Sequence, residues 1–298
     1  MATAREVRLR IRSVNNIAQV TRALQTISAS RVRKAQEAVM RTRPYASKAW
    51  QILQHLSYVP EGEHLHPLLA ARPTVGRVLV VLITSDRGLA GAYNSNVIRF
   101  TLEQFRANQY PVSYIAVGRK GRDVLHRLGK DIRAEFTGLP ADPEFADISS
   151  IGVIAIDEFR SHAVDQVHLV YTDFVNLLRQ QPIAKQLLPL EIGGAEARVQ
   201  AFEDLPGSPP GSYIYEPAQE ALIDHIMVRF TQLQLYQAVL ESLASEHAAR
   251  MVAMQNATEN ALELSTELKL QYNKARQLAI TSDMLDIAGG AEALAQGR

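Results

Sequence analysis

The fold of this chain is decided by residues 218–288, AQEALIDHIMVRFTQLQLYQAVLESLASEHAARMVAMQNATENALELSTELKLQYNKARQLAITSDMLDIA. These residues contain no proline or glycine, whereas Pro217 precedes them and Gly289 and Gly290 follow. Such a stretch predicts one helix that ends at about Ala288 and that, at about 1.5 Å per residue, reaches roughly 105 Å. A helix of that length cannot be buried within its own chain.

Apolar residues recur along this segment at helical spacing and form a stripe on one face. The stripe consists of Leu222, Ile226, Leu233, Leu240, Leu243, Met251, Met254, Leu262, Leu268, Tyr272, Ala275 and Ala279. Charged residues interrupt every window of about 20 residues, which excludes a membrane span. The pattern therefore predicts a coiled coil in which another helix covers the stripe.

The predicted partner helix lies near the start of the chain, from residue 4 to about residue 57. Apolar residues recur there at helical spacing, and Pro44 is expected to bend the helix. Residues 1–43 hold ten basic and two acidic side chains, whereas residues 217–298 hold six basic and ten acidic ones. The two segments are thus complementary in charge. The basic face would also suit nucleic acid, but no aromatic residue for base stacking precedes Tyr45, which favours the coiled coil.

Between these helices the pattern changes to alternating strands and helices. Strands are predicted at Val78–Ile83, Val112–Val117, 132–136 and 167–175, with helices between them. This order predicts an α/β fold, with a Rossmann-like domain inserted between the two long helices. We place the N-terminal helix at residues 1–59, the inserted domain at 74–212 and the C-terminal helix at 217–298.

The inserted domain offers only weak signals of chemistry. It contains neither G-x-G-x-x-G nor G-x-x-x-x-G-K-[ST], so dinucleotide and P-loop recognition are not supported. Asp86 and Arg87 could be catalytic, but a salt-bridged turn is the favoured interpretation. The chain has no cysteine, its eight histidines lack metal-ligand spacing, and the acidic loop at 142–147 is more typical of a helix cap than of a metal site. We therefore expect no catalytic residue, no cofactor and no metal.

Three blocks of sequence resemble the gamma subunit of F-type ATP synthases. They are residues 11–36 (IRSVNNIAQVTRALQTISASRVRKAQ), the turn at 85–91 (SDRGLAG) with Asn94, and the segments 246–254 (EHAARMVAM), 272–277 (YNKARQ) and 280–281 (IT). The resemblance spans essentially the whole chain. It implies that the terminal helices form an antiparallel coiled coil, the rotating central shaft inside a hexamer of alpha and beta subunits.

The resemblance also implies partners and a location. The inserted domain would lie at the foot of the shaft, beside the epsilon subunit and the membrane c-ring, in an assembly that also holds a delta subunit. Rotation would couple ion flow through that ring, in a proton-translocating enzyme, to ATP synthesis on neighbouring subunits. The chain would be a peripheral, non-catalytic subunit on the cytoplasmic face of a bacterial membrane. No apolar run resembles a signal peptide, which fits this expectation.

The same resemblance assigns roles to individual residues. Arg276 and Gln277 match positions that contact the catch loop of a beta subunit. Contacts between the shaft and the hexamer are expected from Leu24, Arg31, Arg33, Ile280, Met284, Leu285 and Ile287. Because the C-terminal helix is longer than its partner, the last four of these are also predicted to have no cover within the chain.

The chain departs from the family at a few positions. Leu24 stands where methionine is frequent, and Ala90 and Ala92 stand where cysteine and glycine are common. These departures argue against thiol regulation. Two other hypotheses are a nucleotide-binding enzyme with helical arms and a basic coiled-coil nucleic-acid binder.

Overall fold

The computed structural model describes residues 4–57, 66–70, 72, 74–106, 110–190 and 219–296. The chain divides into two compact units, one made of residues 29–250 and the other of Met1–Ser28 together with Met251–Arg298. Two long helices, α1 (Ala4–Ser57) and α5 (Gln219–Gln296), contribute to both units. The predicted segment boundaries near residues 59 and 212–217 lie outside the described residues and stay predictions.

The unit of residues 29–250 contains a five-stranded sheet in the order β3-β2-β1-β4-β5. Its strands are β1 (Val78–Ile83), β2 (Val112–Val117), β3 (Asp131–Phe136), β4 (Gln166–Phe174) and β5 (Gln180–Leu188). The connecting helices are α2 (Tyr93–Gln104), α3 (Arg119–Arg127) and α4 (Phe145–Arg160). The first four strands are parallel, which confirms the predicted α/β class, while β5 pairs antiparallel with β4.

Both faces of β1 are buried, as its continuous apolar run predicts. Leu79 and Val81 pack with α4 and α5, whereas Val80 and Leu82 pack with α2 and α3. Helix α5 therefore forms part of the core of the sheet domain. The junction between this helix and the sheet is consequently a packed interior.

In the other unit, the N-terminal turns of α1 lie antiparallel to the middle third of α5. Asn15 contacts Ser265 and Thr21 contacts Thr258, so numbers rise along one helix as they fall along the other. Buried positions on α5 follow the alternating spacing of four and three residues that is typical of a coiled-coil seam, and they are Met254, Thr258, Ala261, Ser265 and Leu268.

The structure corrects two predictions about α5. The helix does not end at Ala288 but continues through Gly289 and Gly290 to Gln296. A glycine ends a helix when it turns into the left-handed region, and neither of these glycines has a positive φ. Leu262, placed on the buried stripe, is 52% exposed, because Ala261 and Ser265 occupy the seam beside it.

Candidate functional site

The turn that follows β1 is held by the carboxylate of Asp86. Its two oxygens accept hydrogen bonds from the backbone N–H groups of Arg119 at 2.9 Å and Gly138 at 2.8 Å. The first donor opens α3, directly after β2, and the second lies in the loop after β3, so one side chain connects the ends of three strands. No described ion pair involves Asp86 or Arg87, so the predicted salt bridge is wrong, and backbone N–H groups fix the turn in its place. Asp86 therefore orders the loops.

The N-terminal turn of α3 has no free donors for a phosphate. The N–H of Arg119 binds Asp86, that of Lys120 binds the carbonyl of Ser85 at 3.0 Å, and that of Gly121 binds Thr84 Oγ1 at 2.9 Å. Gly118 is required here, because its φ is +93° and a Cβ would lie 2.1 Å from the Thr84 carbonyl oxygen. The backbone donors at the start of α3 are therefore filled by the chain's own oxygen atoms.

A buried ion pair on α5 docks that helix onto the turn after β1. Arg250 Nη2 donates to Glu246 Oε1 at 2.6 Å and to the carbonyl oxygen of Gly88 at 3.2 Å. Both charged side chains are only 11% exposed. Burial raises the pKa of the Glu246 carboxyl, and the charge of Arg250 opposes that rise. We call Glu246, His247, Arg250 and Gly88 the helix clamp.

His247 completes the helix clamp as a neutral ring. Its Nδ1 lies 3.2 Å from Arg250 Nη1 and, because a guanidinium only donates, Nδ1 must accept. The ring proton is therefore on Nε2, which is buried and has no hydrogen-bond partner among the described residues. Burial and the charges of Arg250 and Arg31 lower the pKa of His247 to about 4.

Three further contacts fix α5 to the sheet domain. The hydroxyl of Tyr93, at the start of α2, lies 2.6 Å from Ser242 Oγ, and burial raises the pKa of that phenol. Tyr236 donates to the carbonyl of Pro143 at 3.1 Å. A Cβ on Gly152 of α4 would lie 2.8 Å from Gln232 Cγ, so α4 and α5 approach closely where glycine permits it. The junction is thus held by polar contacts and close packing.

The coiled-coil unit is held by small polar side chains. Thr21 Oγ1 and Thr258 Oγ1 lie 2.7 Å apart, and Ser265 Oγ donates to Asn15 Oδ1 at 2.8 Å. Thr258 Oγ1 also lies 2.8 Å from the carbonyl oxygen of Met254 in its own helix. The sequence reasoning missed these pairs, since it followed large apolar residues only.

The residues assigned to partner contacts lie mostly on free surface. Arg276 and Gln277 are exposed and adjacent, so they are about 100° apart around α5. Beyond them, apolar side chains are 47% to 74% exposed, namely Ile280, Met284, Leu285 and Ile287. The predicted absence of cover within the described chain is therefore confirmed for these four.

The three assigned positions on α1 differ from one another. Leu24 is half-buried, and Arg33 pairs with Glu37 on the solvent side, with N–O distance 3.3 Å. Arg31 lines the cavity beside the helix clamp, so its side chain is directed partly toward its own unit. Leu24 belongs to the same unit as Arg276 and Gln277, whereas Arg31 and Arg33 belong to the unit of residues 29–250.

Comparison with known proteins places the chain in a family. A family model described as ATP synthase matches residues 3–294. The ATP synthase gamma chains of Herpetosiphon aurantiacus and of Dehalococcoides mccartyi strain CBDB1 are 44% and 45% identical to this chain, over 99% of it and 100% of each relative. The chain belongs to the ATP synthase gamma-chain family. The resemblance that the three sequence blocks indicated is thereby confirmed.

Solved structures share the gamma-chain fold at lower identity. A chain of the Euglena gracilis mitochondrial ATP synthase, in an OSCP/F1/c-ring structure, aligns with TM-score 0.66 and 20% identity, over 99% of this gamma chain and 95% of that chain. A chain from the central stalk and c-ring of the Tetrahymena thermophila enzyme aligns with TM-score 0.60 and 23% identity, over 80% of this chain and 99% of that chain. These likenesses support the fold.

The described residues of the gamma chain contain neither a membrane-spanning helix nor a cluster of metal ligands. None of the described helices is long and apolar enough to cross a membrane. Within the same residues, no group of three or more His, Asp or Glu side chains is arranged to hold a metal ion.

The acidic loop predicted to cap a helix does so, since Glu144 and Asp147 form a reciprocal capping box at the start of α4.

Proposed function

We propose that this gamma chain is the non-catalytic central rotor of an F-type ATP synthase. The observation that carries the proposal is helix α5, which runs unbroken for 78 residues from the core of the sheet domain to an exposed apolar end. Exposed apolar surface of that extent is typical of a partner interface. The partners we propose are the alpha, beta, delta and epsilon subunits and the membrane c-ring.

The helix clamp supports a mechanical role for the junction. A rotor must carry torque from its foot into its shaft without slipping, so the two parts need contacts that do not exchange with water. A buried ion pair, a buried tyrosine hydroxyl and a glycine-permitted helix contact provide this between α5 and the sheet. We assign the foot to residues 74–212, and the shaft to residues 1–59 and 217–298.

The absence of G-x-G-x-x-G and G-x-x-x-x-G-K-[ST] argues against a nucleotide-binding enzyme. The backbone N–H groups at the start of α3 are also not available to a phosphate, because they are already paired with Asp86, Ser85 and Thr84. ATP chemistry is therefore assigned to the neighbouring subunits. We place the chain as a peripheral protein on the cytoplasmic face of a bacterial membrane.

Arg276 and Gln277 are proposed to bind the catch loop of a beta subunit. A guanidinium presents a rigid set of donors to a carboxylate, and a neighbouring amide can donate and accept. Leu24, Arg31, Arg33 and the exposed apolar end of α5 are proposed as further contacts with the alpha and beta hexamer. The catch-loop contact would form in only some rotational states, so its loss should affect turnover more than assembly.

The test is the double variant Arg276→Ala, Gln277→Ala in membranes. Each lost charge-assisted hydrogen bond is worth about 1.5 to 3 kcal/mol, so we expect a clear fall in ATP hydrolysis and ATP-driven proton pumping at normal complex abundance. The matched control is Lys269→Ala, Gln271→Ala, which removes one positive charge and one amide from exposed positions of the same helix. Equal activities in both double variants and the wild type would refute the proposed contact.

A further inference from the structure

The edge of the sheet at which the parallel strands begin carries a cluster of basic side chains. A helix that joins two parallel strands returns the chain to this edge, so helix ends and strand starts lie together there. The register of the sheet aligns the starts of β1, β2 and β3. The basic residues are Arg106 just beyond α2, Arg127 at the end of α3, Arg77 directly before β1 and Lys130 directly before β3. We call these four residues the basic edge.

The charge of the basic edge is not neutralised within the described chain. All four side chains are exposed, and none forms an ion pair with a described residue. Of the three carboxylates in residues 93–133, Asp123 and Asp131 pair with arginines, which leaves Glu103 in the last turn of α2. Asp157, near the end of α4, lies on the opposite face of the sheet. The basic edge therefore keeps a net positive charge on the side of α2 and α3.

Two apolar side chains are exposed among these cations. Leu128 lies between Arg127 and Lys130 in the sequence and is 50% exposed, and Tyr110, just before β2, is 40% exposed. Cations near the end of a helix also stabilise the helix, so their charge alone does not define a binding surface. Leucine and tyrosine beside arginine and lysine are typical of a lipid interface, because the charged groups stay with the head groups while the apolar parts enter the bilayer.

Helix α5 leaves the sheet domain from the opposite edge. Asp224, in the second turn of α5, pairs with Arg160 at the end of α4, on the edge where the strands begin. Arg250 binds the carbonyl oxygen of Gly88, which lies beyond the carboxyl end of β1. The helix therefore runs from one edge of the sheet toward the other and leaves the unit of residues 29–250 there. The basic edge lies at the other end of this unit.

We propose that the basic edge binds the surface of an anionic lipid bilayer. The four cations would contact the lipid phosphates, and Leu128 and Tyr110 would enter the boundary between head groups and acyl chains. Nucleic acid is another polyanion, but a leucine between two cations offers no ring on which a base could stack, so the lipid surface is favoured. The inference goes beyond the proposed rotor, and its test needs no partner subunit.

The experiment measures cosedimentation of the full chain with lipid vesicles. Vesicles of phosphatidylcholine alone are compared with vesicles that also contain phosphatidylglycerol, at low and at high salt. We expect binding to the anionic vesicles that weakens as salt is added, because ions screen exposed charges beyond about 10 Å at 0.1 M. Helix α1 is also basic, so binding by the wild type does not by itself locate the contact.

Two double variants locate it on α3. Each basic side chain near an anionic surface strengthens binding by about fivefold, so Arg127→Gln, Lys130→Gln should weaken binding by about 25-fold. The matched control, Arg119→Gln, Lys120→Gln, removes the same two charges from exposed positions at the opposite end of this helix and should bind as the wild type does. Wild-type binding by the first double variant, or equal loss in both, would overturn the proposal. Circular dichroism checks that both variants are folded.

The exposed leucine distinguishes a lipid surface from a general site for polyanions. Leu128→Asn should weaken binding to the anionic vesicles by about fivefold, the scale of burying part of a leucine side chain. Its control is Leu178→Asn, since Leu178 is 84% exposed in the turn between β4 and β5, at the opposite edge of the sheet, and should bind as the wild type does. A DNA duplex is titrated in parallel. If Leu128→Asn binds vesicles as well as the wild type, or if the duplex binds more tightly than the vesicles, the assignment to lipid is wrong.

Discussion

Acid should destabilise this chain through His247, whose ring is held neutral by its surroundings. The side chain is buried, and its Nδ1 faces a guanidinium of Arg250 at 3.2 Å. Protonation would place a second desolvated cation beside Arg250 and near Arg31. These effects lower the pKa of His247 to about 4, and burial is the largest of them.

The size and sign of the effect follow from linkage. In the unfolded chain the imidazole titrates at its ordinary pKa of 6.5. Between that value and about 4 the unfolded state binds a proton that the folded state does not, so the free energy of unfolding falls as the pH falls through this window. At about 1.36 kcal/mol per pKa unit, the lowered pKa of His247 makes the free energy of unfolding about 3 kcal/mol smaller near pH 4 than at pH 7.

The assay is urea unfolding of the full chain at several pH values from 7.5 to 4. His247→Gln retains an amide oxygen that can accept from Arg250 but has no titration, so it should lose about 3 kcal/mol less than the wild type over this range. Glu246 acts in the opposite direction, because its raised pKa makes the folded state take up a proton first as the pH falls. It is present in both proteins, so the difference between them reports on His247.

The control is His225→Gln, since His225 is exposed on the same helix. It should follow the wild type across the whole pH range. If wild type and His247→Gln lose the same free energy of unfolding between pH 7 and 4, the inference that His247 is buried as a neutral ring is wrong.

Three pairs of substitutions test the packing, each by urea unfolding. Arg250→Met leaves the buried carboxylate of Glu246 without its partner and should lower the free energy of unfolding by about 3 to 5 kcal/mol. Adding Glu246→Gln should recover much of that loss. A loss below 1 kcal/mol in Arg250→Met would contradict a buried pair. Thr21→Val or Thr258→Val should each cost about 1 kcal/mol, and the double variant less than their sum, because either single variant already removes the one hydrogen bond between the two hydroxyls. Gly152→Ala should cost about 1 to 3 kcal/mol by overpacking Gln232, and a second change, Gln232→Ala, should relieve it.

Regular hydrophobic patterns made most of the fold predictable. The period-3.6 stripe identified both long helices, and apolar runs located β1 and β2 at their observed ends. Strand β5 was missed because its sequence, QQPIAKQLL, is polar and contains Pro182. Such a strand is stable only at an edge, where it borrows backbone partners from β4, and sequence alone does not show that neighbour.

The helix clamp was less predictable for a different reason. In the sequence, EHAAR at 246–250 is recognisable only as part of a family-like block, and the spacing of His247 shows only that it has no metal-ligand partner. The clamp is completed by the carbonyl of Gly88, which accepts from Arg250 and lies 162 residues away from it along the chain. Hydrophobic periodicity predicts which residues share a face of one helix or strand. It does not predict that a charged side chain will meet a carbonyl from a distant part of the chain, because the folded topology determines that contact.

The seam of the coiled-coil unit is built from small and polar residues, which bury little apolar area but fix the register of the two helices. Threonine, serine and alanine bury less area than leucine, so the seam gains less hydrophobic free energy per turn. In return, a one-heptad slip would separate both pairs, Asn15 with Ser265 and Thr21 with Thr258. A few buried polar pairs are known to specify register in coiled coils at a cost in stability. For the proposed rotor that exchange is favourable, since the register of the seam sets how far α5 extends beyond α1 and hence where Arg276 and Gln277 meet a partner.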